Sequence, residues 1–223
     1  MNKIFIKMKR IIVLISGSGS NLQAIIENIN LGLIQAEIVE VISNDQNAYG
    51  LIRAKNANID TFVLDHKSFN SRDEYDDALE KRIQIKNPDL IVMAGFMRIL
   101  TPLIPTKYKG KIINIHPSLL PLYPGLNTHE KVINNSDKEH GISIHFVSPV
   151  LDGGPLIAQG VIDTNDNSIE LLIKRIHSME HLLYPLVIQY ICEEKIYLEH
   201  SNDKVAFKDI ELTDGILKIK YNV

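Results

Sequence analysis

The chain has 223 residues, 45% of them hydrophobic, and a formal net charge of −3. This is enough apolar sequence for one sizeable core; the slight acidity speaks against a nucleic-acid-binding domain, which is usually basic. The single cysteine, Cys192, excludes an intrachain disulfide framework, and no apolar run has the length of a membrane span or the pattern of a signal peptide, so a cytoplasmic protein touching neither membrane nor nucleic acid is expected.

Along the chain, apolar β-branched runs alternate with helix-length amphipathic segments. Residues 11–15, 38–42, 61–64, 90–94 and 111–115 read as strands. Residues 21–30, 49–58 and 72–86 read as helices, the last with Tyr75, Leu79, Arg82 and Ile83 at helical spacing. Such alternation implies right-handed crossovers and a mostly parallel sheet covered by helices on both faces, an α/β architecture. After about residue 140 the pattern changes. Residues 142–150 and 156–162 flank Asp152-Gly153-Gly154, a turn signal, and are expected to pair antiparallel. Residues 168–193 read as one long helix, with Ser168 as N-cap and Glu170 in the first turn. Pro185 is expected to kink it or end it early. Short β-like pieces at 196–198, 204–207 and 216–219 look peripheral, and Cys192 reads as a small buried hydrophobe.

Ser16-Gly17-Ser18-Gly19-Ser20-Asn21 links the first strand to the first helix. Glycines let a backbone turn sharply and approach a ligand, and the N–H groups of a helix start attract an anion. The dinucleotide fingerprint wants a small residue where Leu22 stands, and the Walker pattern is absent. A single phosphate held near Ser20 and Asn21 fits this turn; a plain strand-to-helix turn capped by Ser20 or Asn21 fits it equally well.

Asn114-Ile115-His116-Pro117-Ser118 closes the fifth strand. Asn114 and His116 alternate across Ile115 and share one side of an extended strand. Residues 117–125 hold three prolines and a glycine, which predicts a stiff irregular loop. Downstream, Asp152 in Leu151-Asp152-Gly153-Gly154-Pro155 is ordinary turn chemistry by itself; brought to the same place, it could pair with His116 and favour the imidazolium. His145 is a second candidate imidazole, equally readable as a half-buried strand residue.

These motifs carry a resemblance. Residues 13–26 with their Gly-Ser-Asn, Ala94-Gly95-Phe96-Met97-Arg98-Ile99-Leu100, residues 114–121 and residues 151–155 closely resemble the folate-dependent phosphoribosylglycinamide (glycinamide ribonucleotide) formyltransferases of purine biosynthesis, over roughly residues 9 to 198. The resemblance implies a Rossmann-like fold and transfer of a formyl group from 10-formyltetrahydrofolate to the amine of 5-phosphoribosylglycinamide, without a metal. It puts Asn114, His116 and Asp152 on the catalytic trio. Gly19, Ser20, Asn21 and Glu180 fall on the phosphoribosylglycinamide site, and Arg72, Met97, Arg98, Ile99, Leu100, Asn114, Ser148 and Asp152 on the folate site. Asn127 departs from the pattern, standing where a histidine is common, with His129 the imidazole that remains.

One domain over 1–223 is expected: a phosphate-binding half over about 9–110, a catalytic and folate-binding half over about 111–198, and a peripheral tail over 199–223. Small-molecule substrates and a monomer or homodimer complete the expectation. The rival readings are a 10-formyltetrahydrofolate hydrolase using the same three side chains, and a non-catalytic nucleotide-binding module using only the Gly-rich turn.

Overall fold

The residues of the first strand explain why helices cover both faces of the sheet. In the computed structural model, which describes residues 8–164, 168–199 and 201–220, β1 (Lys9–Ile15) is buried on both sides. Ile11, Val13 and Ile15 join one apolar cluster, with Leu22 and Ile25 of α1 (Ser20–Asn30) and Leu183 and Val187 of α6 (Ile169–Cys192). Ile12 and Leu14 join the other, with Tyr75, Leu79 and Ile83 of α3 (Arg72–Lys86). A strand whose alternate residues both need apolar cover must lie between two helix layers.

The remaining elements are β2 (Ala36–Ser43), α2 (Tyr49–Asn56), β3 (Thr61–Val63), β4 (Leu90–Met93), α4 (Leu103–Lys107), β5 (Ile112–His116), α5 (Thr128–Asn134), β6 (Glu139–Phe146), β7 (Leu156–Asp163), β8 (Ile196–Leu198), β9 (Val205–Phe207) and β10 (Leu217–Lys220). The main sheet runs β10-β7-β6-β5-β4-β1-β2-β3. Strands β3, β2, β1, β4 and β5 are mutually parallel, and β6 is antiparallel to both β5 and β7. The fold is α/β, Rossmann-like, with the expected antiparallel portion. Chain order reverses between β1 and β4, and the carboxyl ends of strands at such a reversal are the usual ligand position in open α/β sheets.

Five points differ from expectation. Pro185 does not end α6, which runs on to Cys192; the helix lies in the apolar cluster through Leu183, Tyr184, Val187 and Ile188, and that burial outweighs the hydrogen bond proline forfeits. The Tyr184 hydroxyl donates to the Met93 carbonyl at 2.9 Å, pinning the helix to the sheet. Strand β6 stops at Phe146, so residues 147–150, with Pro149, belong to a loop. The tail is not wholly peripheral: β10 adds to the edge of the main sheet beside β7, and Ile196 and Leu198 are buried. Finally, α4 and α5 were not expected; five and seven residues are too few for a periodic pattern. Arg82 of the α3 stripe also proves polar in role, pairing with the buried Glu40 and stacking on Phe62.

Candidate active site

Strand pairing assembles the polar cluster. In the antiparallel β5–β6 register Asn114 lies opposite His145 and His116 opposite Ser143. Ile113 and Ile115 turn to the α1–α6 cluster, so Asn114 and His116 face the other way. The Asn114 amide nitrogen lies 3.4 Å from His145 Nε2. The loop between β6 and β7 then brings in Asp152, whose Oδ2 lies 3.5 Å from His116 Nδ1 and whose Oδ1 lies 3.7 Å from His145 Nε2. Asp152 takes the left-handed backbone, φ 49°, which a short polar side chain tolerates. Gly154 lets the loop return: a Cβ there would lie 1.8 Å from the Phe146 carbonyl oxygen.

The electrostatics are those of a buried carboxylate held charged. The Asp152 side chain is 7% exposed. Burial alone would raise its pKa, but the His145 contact, the Gly125 N–H donating at 2.9 Å and the two imidazoles outweigh it and hold it below the usual carboxylate range. The Nδ1 of His145 is 2.9 Å from the Phe146 carbonyl and so carries a hydrogen. His116 Nε2 lies 2.9 Å from the Tyr123 carbonyl, which can only accept. With a carboxylate at Nδ1 and a carbonyl at Nε2, both His116 nitrogens face acceptors.

A cavity of about 440 Å³ opens beside these groups. Asn114, His116, His145 and Asp152 form its polar wall. Met97, Arg98, Ile99, Leu100 and Ser148 line it as well, together with the apolar Leu126, Val150 and Leu151. Met97 is 73% exposed, so its side chain is open to a ligand. Ser148 shapes its own loop by bonding Val150, and Arg98 stacks 4.6 Å over Tyr75. Arg72 is not on the wall: its guanidinium donates to the Ile99 carbonyl at 2.7 Å, so it braces the 97–100 segment from behind.

The Gly-rich turn stands beside this cavity and is not part of its lining. Ser16 joins the two. Its N–H donates to the Gly95 carbonyl at 3.1 Å. Its hydroxyl accepts the Met97 N–H at 2.8 Å and donates to the Asn44 side chain. The cap of α1 is Gly19, at φ 69°, with no side-chain cap bond; of the two readings of this turn, the one in which Ser20 or Asn21 caps the helix is not met. Asn21 instead donates its amide to Glu180 at 3.0 Å across α1 and α6. Glu180 is 7% exposed, and burial raises its pKa against the pull of Asn21 and His177.

Two further histidines border the site. His129, on the cavity wall, lies 2.9 Å from His140 by Nδ1 and Nε2. Burial lowers both, His140 to about 4 with His129 adding to the effect. Asn127 is the left-handed residue that opens α5, a backbone role to which asparagine is suited. Sequence reasoning missed the Tyr123 carbonyl and the Gly125 N–H. Both are backbone groups of an irregular loop, and residue types carry no signal for them. Cys192 is buried, its thiol pushed up to about 12, as expected of a core residue.

Comparison with known proteins agrees on one family. Residues 9–188 match the family model described as formyl transferase. The phosphoribosylglycinamide formyltransferase of Escherichia coli (strain K12) is 46% identical over 193 residues, 86% of this chain and 91% of that protein. Its Haemophilus influenzae counterpart is 46% identical over 91% of this chain and 94% of its own length. The solved structure of the Coxiella burnetii phosphoribosylglycinamide formyltransferase superposes with a TM-score of 0.89 at 43% identity, covering 96% of this chain and all of that one.

Proposed function

Because this chain belongs to the formyl transferase family, we propose that it transfers the formyl group of 10-formyltetrahydrofolate to the amine of 5-phosphoribosylglycinamide, a step of purine biosynthesis, releasing tetrahydrofolate. The observation that carries the reading is the Asp152 carboxylate lying within 3.5–3.7 Å of both His116 and His145 beside the Asn114 amide, on the wall of an apolar cavity.

The amine attacks the formyl carbon, the carbonyl oxygen becomes an oxyanion, and the folate nitrogen leaves with a proton. Asn114 has an amide hydrogen beyond the one aimed at His145, and it meets the oxyanion. His116 gives up the Tyr123 carbonyl to donate from Nε2, first to the oxyanion and then, as acid, to the leaving nitrogen. One such donor contributes about 3–4 kcal/mol and one positioned acid roughly 10²–10⁴-fold. Asp152 keeps the imidazolium charged and orders a water that takes the amine proton. Met97 to Leu100 and the loop of Ser148 to Asp152 hold the folate, with Arg72 as brace. Gly19, Ser20 and Asn21 receive the phosphate at the start of α1, and Glu180 orients Asn21. Holding both substrates in register accounts for much of the remaining acceleration. The two substrate regions form one domain, without a resident metal, acting in the cytoplasm as a monomer or homodimer.

Following tetrahydrofolate release with and without 5-phosphoribosylglycinamide tests this. Release that depends on the amine is expected; equal release without it would make the protein a hydrolase.

A further inference from the structure

We propose that helix α2 is a clamp that aims the amides of the Gly-rich turn, with Arg53 as its positioning residue. The inference rests on reading that turn as the phosphate site.

Two consecutive carbonyls of the turn are held by α2. The Gly50 N–H donates to the Gly17 carbonyl at 3.0 Å. Arg53 Nε donates to the Ser18 carbonyl at 2.9 Å. A trans peptide is planar, so its C=O and its N–H point in opposite directions. Fixing the Gly17 carbonyl toward α2 therefore turns the Ser18 N–H away from it, and fixing the Ser18 carbonyl does the same for the Gly19 N–H. Among the described residues neither N–H has a protein acceptor. Both stand next to the first turn of α1, whose own N–H groups have no partner within the helix. The result is a set of donors aimed at one side, set from behind.

The contact is tight. A Cβ on Gly19 would lie 2.6 Å from the Gly50 Cα, and one on Gly50 would lie 2.5 Å from Ile15 Cδ1. Two glycines in different elements let the backbones touch. The guanidinium is itself fixed, with Nη1 3.3 Å from Gln23 Oε1 on α1 and its carbon 4.9 Å over the Tyr49 ring. A charged donor on the Ser18 carbonyl also polarises that peptide and makes the Gly19 N–H a stronger donor.

The test is inhibition by inorganic phosphate, measured against the phosphorylated amine, in the full chain and in Arg53→Met and Arg53→Lys. Arg53→Met is expected to raise the phosphate inhibition constant and the KM of the phosphorylated amine together, by about tenfold. The folate KM should move by under about twofold. Arg53→Lys should recover only part of the loss, because a flexible point charge does not fix the direction of the peptide as the planar fork does. Phosphate competition that survives Arg53→Met unchanged, or full recovery by lysine, overturns the clamp while leaving the phosphate site in place. If inorganic phosphate does not compete in the unmodified enzyme, the turn is not the phosphate site, and the binding scheme falls with the clamp.

Discussion

The Gly-rich turn and the Asn114–His116–Asp152 cluster are built from different parts of the chain. The turn is a continuous stretch, and the groups it is proposed to use are peptide N–H groups. The cluster draws Asn114 and His116 from β5, His145 from β6 and Asp152 from the loop beyond, and its functional groups are side chains. A backbone site depends on shape: it tolerates many side chains but not a Cβ where two backbones touch. A side-chain site depends on identity and charge, and a change of one atom alters it.

Four changes would break or sharpen this contrast. The largest effect is expected for Asp152→Asn, which replaces the buried carboxylate with a neutral group of the same shape. Turnover should fall about 10³-fold, with the circular dichroism spectrum of the parent; full activity in steady-state kinetics would show that charge is not what the cluster supplies.

The matching change at the other region is Gly19→Ala. The left-handed backbone alone costs about 1–2 kcal/mol, and the contact with Gly50 adds to it. A lower denaturation midpoint is expected, with the KM of the phosphorylated amine rising more than that of the folate. Equal rises would erase the division between the two regions.

A third effect is on pH and stability. Burial holds His140 at about 4 in the folded chain, below its ordinary value of 6.5. Between those values the unfolded chain binds more protons, so stability is lost as pH falls through that window. For His140 alone the loss from pH 7 to pH 5 is about 2 kcal/mol. Asp152 has the same sign at lower pH: its stabilising charge is present above the unfolded value and is lost as pH falls through the depressed folded value. Urea midpoints at pH 7 and 5 should converge in His140→Gln; an unchanged gap would assign the acid loss elsewhere.

The smallest effect is expected for Asn21→Ala. It removes the partner of the buried Glu180 and should raise the KM of the phosphorylated amine by about tenfold while leaving the folate KM nearer its original value.

How far each region could be read from sequence follows from the same contrast. Strands β1, β2, β4 and β5 were legible because nearly all-apolar runs mark burial on both faces, and α3 because its stripe repeats at helical spacing. The Gly-rich turn was legible as a turn, since glycine at Gly19 answers a local backbone need. The pairing of His116 with Asp152 was expected, and the two lie 3.5 Å apart. The equal weight of His145 was not legible, because it depends on the register that sets His145 opposite Asn114. That Arg72 donates to the Ile99 carbonyl was not legible either, since only the path of residues 97–100 decides what its guanidinium meets.

The residue order by itself determined the alternation of strands and helices, the glycine turn and the presence of an amide, two imidazoles and a carboxylate. These follow from local sterics and from the periodicity of burial, which act over a few residues. The tertiary structure alone decided the strand order that sets β1 beside β4, the carbonyl that occupies His116, and the helix that grips the turn from behind. Each depends on groups from separate segments, seven to about eighty residues apart, meeting within hydrogen-bond range, which the folding of the whole chain sets and no local pattern encodes.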